Sequence, residues 1–307
     1  ERYPDADAHE LRAAIAARDE IGAASIVVAN GAAAAIDAVV TALQPASALV
    51  IVPAFSEYDR ALRARRVNVV TLSLDPGDDF RLDVDRCLEL VAQLRPGLVI
   101  LTNPHNPSGA LTPADGILRI GAALRAYGAT LLVDEAFIDY ALAESVCAAA
   151  ATNDAIICVR SLTKLFAMPA LRVGYAVATP PLATRIAFAL PSWPVSACSA
   201  GAAVCALADR EYVERMMATF ARDREQLASG LRELGFAVTP SSANFILARI
   251  PALCGSSTAL REWLIENHRI LIRDCVTYEG LDARYVRVAV RSEQENRRLL
   301  LALRLAV

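Results

Sequence analysis

Residues 160–175 read RSLTKLFAMPALRVGY, and the rest of the chain is best understood outward from them. Lys164 is the only lysine in the 307 residues; the other basic side chains are all arginines. It stands between Thr163 and Leu165, just after the apolar run 155–159. Burial lowers the pKa of an amine towards neutrality, and an uncharged amine can add to a carbonyl, whereas a guanidinium stays protonated. Lysine is therefore the side chain that can hold an aldehyde. The hydroxyls of Ser161 and Thr163, and the guanidinium of Arg172 eight residues on, are suited to a phosphate. An isolated S-x-x-K is more often a surface lysine behind a strand, so the reading needs support from elsewhere.

Composition narrows the classes. A net charge of -3 with both signs scattered leaves no basic patch for nucleic acid and no polybasic membrane signal, so a small-molecule partner is expected. Hydrophobic residues make up 55% of the chain, but no run of about twenty apolar residues lacks a charge or proline. A soluble, cytoplasmic protein is expected. The seven cysteines are odd in number and widely spaced without a C-x-x-C pair, which reads as reduced core residues rather than a disulfide framework or a zinc site; no metal is expected. The chain opens at Glu1 without methionine or a signal-like segment, which leaves room for a preceding piece.

Short apolar strands are expected at 25–29, 48–52, 67–72, 98–102, 130–133, 155–159 and 173–178, with helices between many of them, such as 32–43, 84–94 and 113–127. That alternation predicts an α/β fold: a mostly parallel seven-stranded sheet covered by helices on both faces. Beyond the prolines at 180–181 and 191–194 come a long helix, about 210–234, and strands and helices at 244–249, 256–267, 270–273, 285–290 and from 292. These predict a smaller α+β unit. The expected division is a large domain over 20–205 and a small domain from 1–19 together with 206–307.

The unusual residues fall at strand ends, where open α/β sheets bind ligands. Asn30-Gly31 before the helix at 32–43 leaves the first amides, those of Ala32 and Ala33, open to an anion. Asp134 closes the strand at 130–133, and a buried carboxylate there needs a cationic partner such as a protonated ring nitrogen; a helix N-cap is an equal reading. Asn106, between Pro104 and Pro107, is either a rigidly held amide or part of a plain proline turn. Phe55 is either a stacking platform or core.

The order of these segments is more telling than any one of them. Asn-Gly, then PAFSEY at 53–58, NPHNPSG at 103–109, DEAF at 134–137 and SLTK at 161–164 with Arg172 resembles the fold-type I pyridoxal-phosphate enzymes, in particular the class I/II aminotransferases that include histidinol-phosphate aminotransferase. The resemblance spans essentially the whole chain. It implies pyridoxal 5'-phosphate joined to Lys164 and Asp134 against the ring nitrogen. It also implies Asn106 on the ring hydroxyl, Phe55 stacked on the ring, and Ser161, Thr163, Arg172 and the amides of Ala32 and Ala33 on the phosphate. By the same resemblance Tyr3 reaches the phosphate of the other subunit of a homodimer with shared active sites, Arg287 binds the substrate carboxylate, and Arg273 and Arg291 lie nearby as further substrate-binding guanidiniums, at least one of which a phosphate-bearing substrate would need.

Within the class, Met168-Pro169, SWPVSA at 192–197 and LIRDCVTYEGLDARYVRVAVRSEQEN at 271–296 are most similar to the threonine-phosphate decarboxylase group of the cobalamin pathway. That resemblance implies a carboxy-lyase acting on L-threonine O-3-phosphate; the alternative is an aminotransferase of the histidinol-phosphate type. A non-catalytic scaffold with the same fold is disfavoured by the retained Lys164. Departures from the class pattern fall at His105, Ser108, Ala32, Ala33, Phe137, which lacks a phenol, and Ser196.

Overall fold

The structure, a computed structural model, describes residues 3–307. A helix α1 (His9–Asp19) precedes strand β1 (Ile26–Ala29). The chain then alternates: α2 (Ala32–Leu43), β2 (Ser47–Val52), α3 (Ser56–Ala64), β3 (Asn68–Ser73), α4 (Val84–Leu94), β4 (Leu98–Thr102), α5 (Ala114–Arg125), β5 (Thr130–Asp134), α6 (Cys147–Ala150), β6 (Ile156–Ser161) and β7 (Gly174–Val177). These seven strands form one sheet in the order β1-β7-β6-β5-β4-β2-β3, with β7 alone antiparallel to its neighbours. The expected mostly parallel seven-stranded sheet is the one observed.

Apart from the largely exposed edge strand β3, the strands are buried with little alternation because both faces are covered. Val50, Ile100, Leu132 and Val159 pack on the side of α2 and α3, while Leu49, Leu101, Val133 and Cys158 pack on the side of α4 and α5. After the sheet come α7 (Pro180–Phe188), α8 (Ala197–Ala208) and α9 (Arg210–Glu233). Pro180 and Pro181, after which the sequence places the smaller unit, open α7, where a missing N–H removes no intrahelical bond.

A second sheet, β10-β11-β9-β8, is antiparallel throughout. It is built from β8 (Ala237–Val238), β9 (Phe245–Arg249), β10 (Arg273–Asp274) and β11 (Tyr285–Ala289), with α10 (Ser257–His268) and α11 (Glu293–Arg304) beside it. Helix α11 starts on a capping box in which Ser292 and Glu295 satisfy each other's backbone amides. The strand expected over 270–273 is shorter and later: Ile270 still bonds back to Leu264 at the end of α10, so pairing with β11 begins only at Arg273.

Two packing features differ from expectation. Leu11 and Ile15 of α1 are buried in the core of the large sheet, and Asp19 at its end accepts from Arg160 at 2.9 Å and from Tyr175 at 2.5 Å, so this helix is tied to the larger layer rather than to the smaller one. All seven cysteines are free, but only four are buried, Cys198 and Cys205 being exposed on α8. Among the described residues no helix is long and apolar enough to cross a membrane.

Candidate active site

Strand parity gathers the site. Residues two apart share a face, so Thr102, Asp134 and Ser161 end their strands, and Gly174 begins the antiparallel β7, on the side that packs against α2 and α3. Arg160 and Tyr175 point the other way, into the buried ion pairs with Asp19 and Asp139. One residue of shift would exchange the two sets.

At the N-terminus of α2, Gly31 has φ +81°, and a Cβ built on it would lie 2.6 Å from Nη2 of Arg172. Gly174 permits an equally close approach: its Cβ would stand 2.4 Å from the amide nitrogen of Ala32. The free amides at the start of α2 are thereby brought beside Arg172, whose own backbone is left-handed at φ +51°, and beside Ser161 and Thr163, whose hydroxyls lie 2.8 Å apart. Amides, hydroxyls and a guanidinium on one wall make a cradle suited to a phosphate.

Asp134 is buried at the floor. Its Oδ2 accepts from the Tyr58 hydroxyl at 2.5 Å and its Oδ1 from the Ala136 amide at 2.9 Å, while Tyr58 is itself within 2.8 Å of Thr102 Oγ1. Burial raises the pKa of Asp134, against the lowering by the Tyr58 and Ala136 hydrogen bonds and by the charge of Lys164. Lys164 follows β6 in a loop and its Nζ lies 5.4 Å from the centre of the Phe137 ring. Its pKa is lowered by burial first, then by the charges of Arg287 and Arg172, with Asp134 opposing. The sole lysine is thus pushed towards the neutral, nucleophilic form.

The far wall comes from the smaller sheet. Arg287 on β11 donates through Nη1 to Asn106 Oδ1 and, at 3.3 Å, to the Tyr278 hydroxyl, with its guanidinium carbon 4.9 Å from the centre of the Phe245 ring. Because a guanidinium only donates, Asn106 must turn its oxygen to Arg287, leaving its NH2 for other partners. Arg273 stands opposite Arg287 in the ladder and donates to Thr277 at 3.1 Å. Like charges facing each other across a ladder are unfavourable without an anion between them.

These groups enclose a cavity of about 590 Å³ that continues past Lys164 and Arg287 into a second of about 600 Å³. The first is lined by Lys164, Arg172, Arg273 and Arg287 against one carboxylate, Asp134. Ala32, Ala33, Phe55, Asn106, Ser161 and Thr163 also line it, so the structure brings together all but two of the expected residues. Arg291 is the correction: it points into solvent and holds Glu295 at 2.7 Å, an i, i+4 pair on the first turn of α11, and lines neither cavity. Tyr3 lies outside the cavity of its own chain, 86% exposed, with its ring 5.4 Å from that of Trp193.

Sequence reasoning missed Tyr58, Tyr278, Phe245 and Arg261, the last lining the second cavity. Tyr58 lay in the quoted PAFSEY, three residues after Phe55 and so one helical turn on. Tyr278 likewise lay in the quoted stretch 271–296 without being singled out, whereas Phe245 and Arg261 had no local signal. His105 was noted as a departure, and the structure gives it a task. Its Nε2 lies 2.7 Å from the Pro53 carbonyl oxygen and its Nδ1 2.7 Å from Ser108 Oγ, tying the Phe55 loop to the Asn106 loop. The carbonyl can only accept, so Nε2 carries a hydrogen, and burial lowers the pKa of the ring to about 4, which keeps it neutral near pH 7.

Residues 1–303 match the family described as Aminotransferase class I and II, and the chain belongs to that family. It is 35% identical over 309 residues to the threonine-phosphate decarboxylase of Salmonella typhimurium, an alignment that covers 99% of this chain and 83% of that protein. Its backbone is similar to that of histidinol-phosphate aminotransferase from Clostridium acetobutylicum, with a TM-score of 0.90 and 28% identity over 98% of this chain and 89% of that one. It is also similar to L-threonine-O-3-phosphate decarboxylase from Porphyromonas gingivalis, with a TM-score of 0.84 and 27% identity over the same shares.

Proposed function

We propose that this protein is a pyridoxal-phosphate-dependent carboxy-lyase that converts L-threonine O-3-phosphate to aminopropanol phosphate and carbon dioxide, in the synthesis of the cobalamin side chain. The observation that carries the proposal is the facing pair Arg273 and Arg287, set on the wall across from the phosphate cradle and beside Lys164, neither of which has a carboxylate salt-bridge partner among the described residues. A substrate with both a carboxylate and a phosphate supplies an anion for each. The 35% identity to a threonine-phosphate decarboxylase supports the same assignment.

The donor set fits the cofactor. The Gly31 cradle, Ser161, Thr163, Arg172 and the amides of Ala32 and Ala33 would hold its phosphate, Asp134 its ring nitrogen, Asn106 its ring hydroxyl and Phe55 its face, with Lys164 as the amine that joins its aldehyde. When bound, the cofactor supplies a conjugated ring that takes up the electrons of whichever bond at the substrate's Cα stands perpendicular to it. The protein's part is orientation. Arg287 holds the carboxylate by its planar fork, Arg273 takes the phosphate, and Nζ of Lys164, its proton affinity reduced by burial, carries protons to and from Cα. Tyr58 and the Ala136 amide fix Asp134 so that it meets a cationic nitrogen without rearrangement.

In this reading two copies assemble in the cytoplasm as a homodimer, with the exposed Tyr3 of each reaching the phosphate end of the other's site. A second reading, an aminotransferase of the histidinol-phosphate type, is favoured by the higher TM-score to that enzyme. Histidinol phosphate has no carboxylate, so it would leave one of the two arginines without its anion.

The test is incubation of the holoenzyme with L-threonine O-3-phosphate in the absence of any keto acid. Carbon dioxide released over many turnovers is the expected result. Its absence, with amino transfer once 2-oxoglutarate is added in a second incubation, would replace the first reading by the second.

A further inference from the structure

A carboxylate can lie in bidentate fashion on either of two edges of a guanidinium, one made by Nη1 and Nη2 and one by Nε and Nη2. In Arg287 the two edges are not equivalent. Its Nη1 donates to Asn106 Oδ1 and to the Tyr278 hydroxyl oxygen at 3.3 Å, so both hydrogens of that nitrogen have acceptors within the protein. The Phe245 ring under the guanidinium stops it from turning out of its plane. Among the described residues, only Nε and Nη2 remain as a free pair.

Tyr278 is held as firmly as the arginine it contacts. It is 9% exposed, its hydroxyl donates to Asn106 Oδ1 at 3.4 Å, and its ring lies 5.6 Å from the guanidinium carbon of Arg273, the residue facing Arg287 in the ladder. It therefore touches both arginines and the amide that faces the cofactor. Of the three aromatic side chains lining this cavity, Phe55, Phe137 and Tyr278, it alone carries a hydroxyl.

We infer that Tyr278 is a positioning residue that selects the edge of Arg287 on which the substrate carboxylate lies. With the hydroxyl in place, the carboxylate is confined to the Nε and Nη2 edge. Without it one hydrogen of Nη1 is released, the other edge opens, and the carboxylate can turn. This rests on the carboxy-lyase reading for its consequence: the rotation of the carboxylate decides whether the carbon–carbon bond or the carbon–hydrogen bond at Cα stands perpendicular to the cofactor ring, and so whether carbon dioxide or a proton leaves. Tyr278 acts on the choice of reaction through Arg287, without contributing a group to either step.

The experiment compares wild type, Tyr278→Phe, Arg287→Lys and the double variant as holoenzymes. Two unreactive probes lacking an amino group, 3-phosphooxybutanoate and isopropyl phosphate, differ only by the carboxylate, and calorimetry gives their dissociation constants. Tyr278→Phe, which removes one of the two acceptors that hold Arg287 in place, is expected to weaken the carboxylate probe about three- to tenfold and to leave isopropyl phosphate within about twofold. With L-threonine O-3-phosphate and 2-oxoglutarate, its ratio of carbon dioxide released to amino groups transferred is expected to fall about tenfold, a difference in barrier near 1.4 kcal/mol. In the Arg287→Lys background, which has no fork, Tyr278→Phe should change neither quantity further. Equal weakening of both probes, an unchanged ratio, or effects that add in the double variant would overturn the inference. If wild type releases no carbon dioxide, the carboxy-lyase reading falls, and the two probes alone still decide whether Tyr278 governs the carboxylate edge.

Discussion

The Cα of Gly31 lies directly beneath the guanidinium of Arg172, so close that any side chain on Gly31 would occupy the space of Nη2. Alanine there meets two obstacles, this overlap and a backbone at φ +81° that L-residues rarely adopt. Gly31→Ala is expected to displace Arg172 from the phosphate cradle and to weaken cofactor binding by at least about tenfold. Titration of the apoenzyme, followed by cofactor absorbance, measures it; unchanged affinity would mean that the cradle does not hold the phosphate.

Because Lys164 is the only lysine, its chemistry can be read without interference from other ε-amines. Borohydride reduction of the holoenzyme should add one pyridoxyl group per chain, found by peptide mapping on Lys164. Lys164→Ala should lose the absorbance near ~400 nm that comes from conjugation of the cofactor with the amine. Its turnover should drop by about a thousandfold. Persistence of that band in the variant would remove Lys164 from its role.

Arg287 and Arg273 should separate by ligand. Arg287→Ala is expected to weaken the carboxylate-bearing probe, and Arg273→Ala the phosphate common to both, each by roughly ten- to a hundredfold for a lost charged hydrogen-bond pair. Arg291→Ala should alter neither, since its guanidinium is engaged by Glu295 on the surface. A matching loss in Arg291→Ala would restore it to the site.

His105 makes stability depend on pH. Burial lowers its pKa from 6.5 to about 4 in the fold, partly offset by its bond to the Pro53 carbonyl. The unfolded chain therefore takes up the proton first as pH falls. The stabilisation tied to the neutral ring is complete above about 6.5 and is lost on acidification towards 4, by up to about 3 kcal/mol. Denaturant midpoints between pH 7 and 4 should fall more steeply for wild type than for His105→Asn; parallel slopes would show that His105 is not the titrating group.

Arg160 is buried with Asp19 at 2.9 Å and Asp139 at 2.8 Å, and is adjacent in sequence to Ser161 of the cradle. Arg160→Met leaves two buried carboxylates short of a partner and should destabilise the fold by about 3–5 kcal/mol. The urea midpoint should drop while the slope of the transition stays the same.

The strands and most helices were legible because a sheet covered on both faces requires uninterrupted apolar runs, as in LVILT at 98–102, and because helix boundaries follow local caps such as Asp83, whose side chain accepts from the Arg86 amide. Misreadings came where one local signal serves two purposes. Pro180 and Pro181 stop a helix or start one, and only the packing of α7 against the α2 side of the sheet shows which. Arg291 sits four residues from Arg287 in a chain that has just left β11, and its direction is set by Glu295 and the capping of α11.

The sequence by itself determined the chemistry of the site: one amine, a strand-end carboxylate, a glycine before a helix, and an arginine downstream, in an order that allows few other readings. Those features are local, since each depends on residue type and on neighbours within one turn or strand. What only the tertiary structure decided was how separate segments constrain one another. Tyr58 on Asp134, Tyr278 between Arg273 and Arg287, and His105 bridging two loops all join residues brought together by sheet order and strand parity. Hydrogen bonds of this kind act only within about 3.5 Å, and no spacing along the chain encodes which distant side chains will come that close.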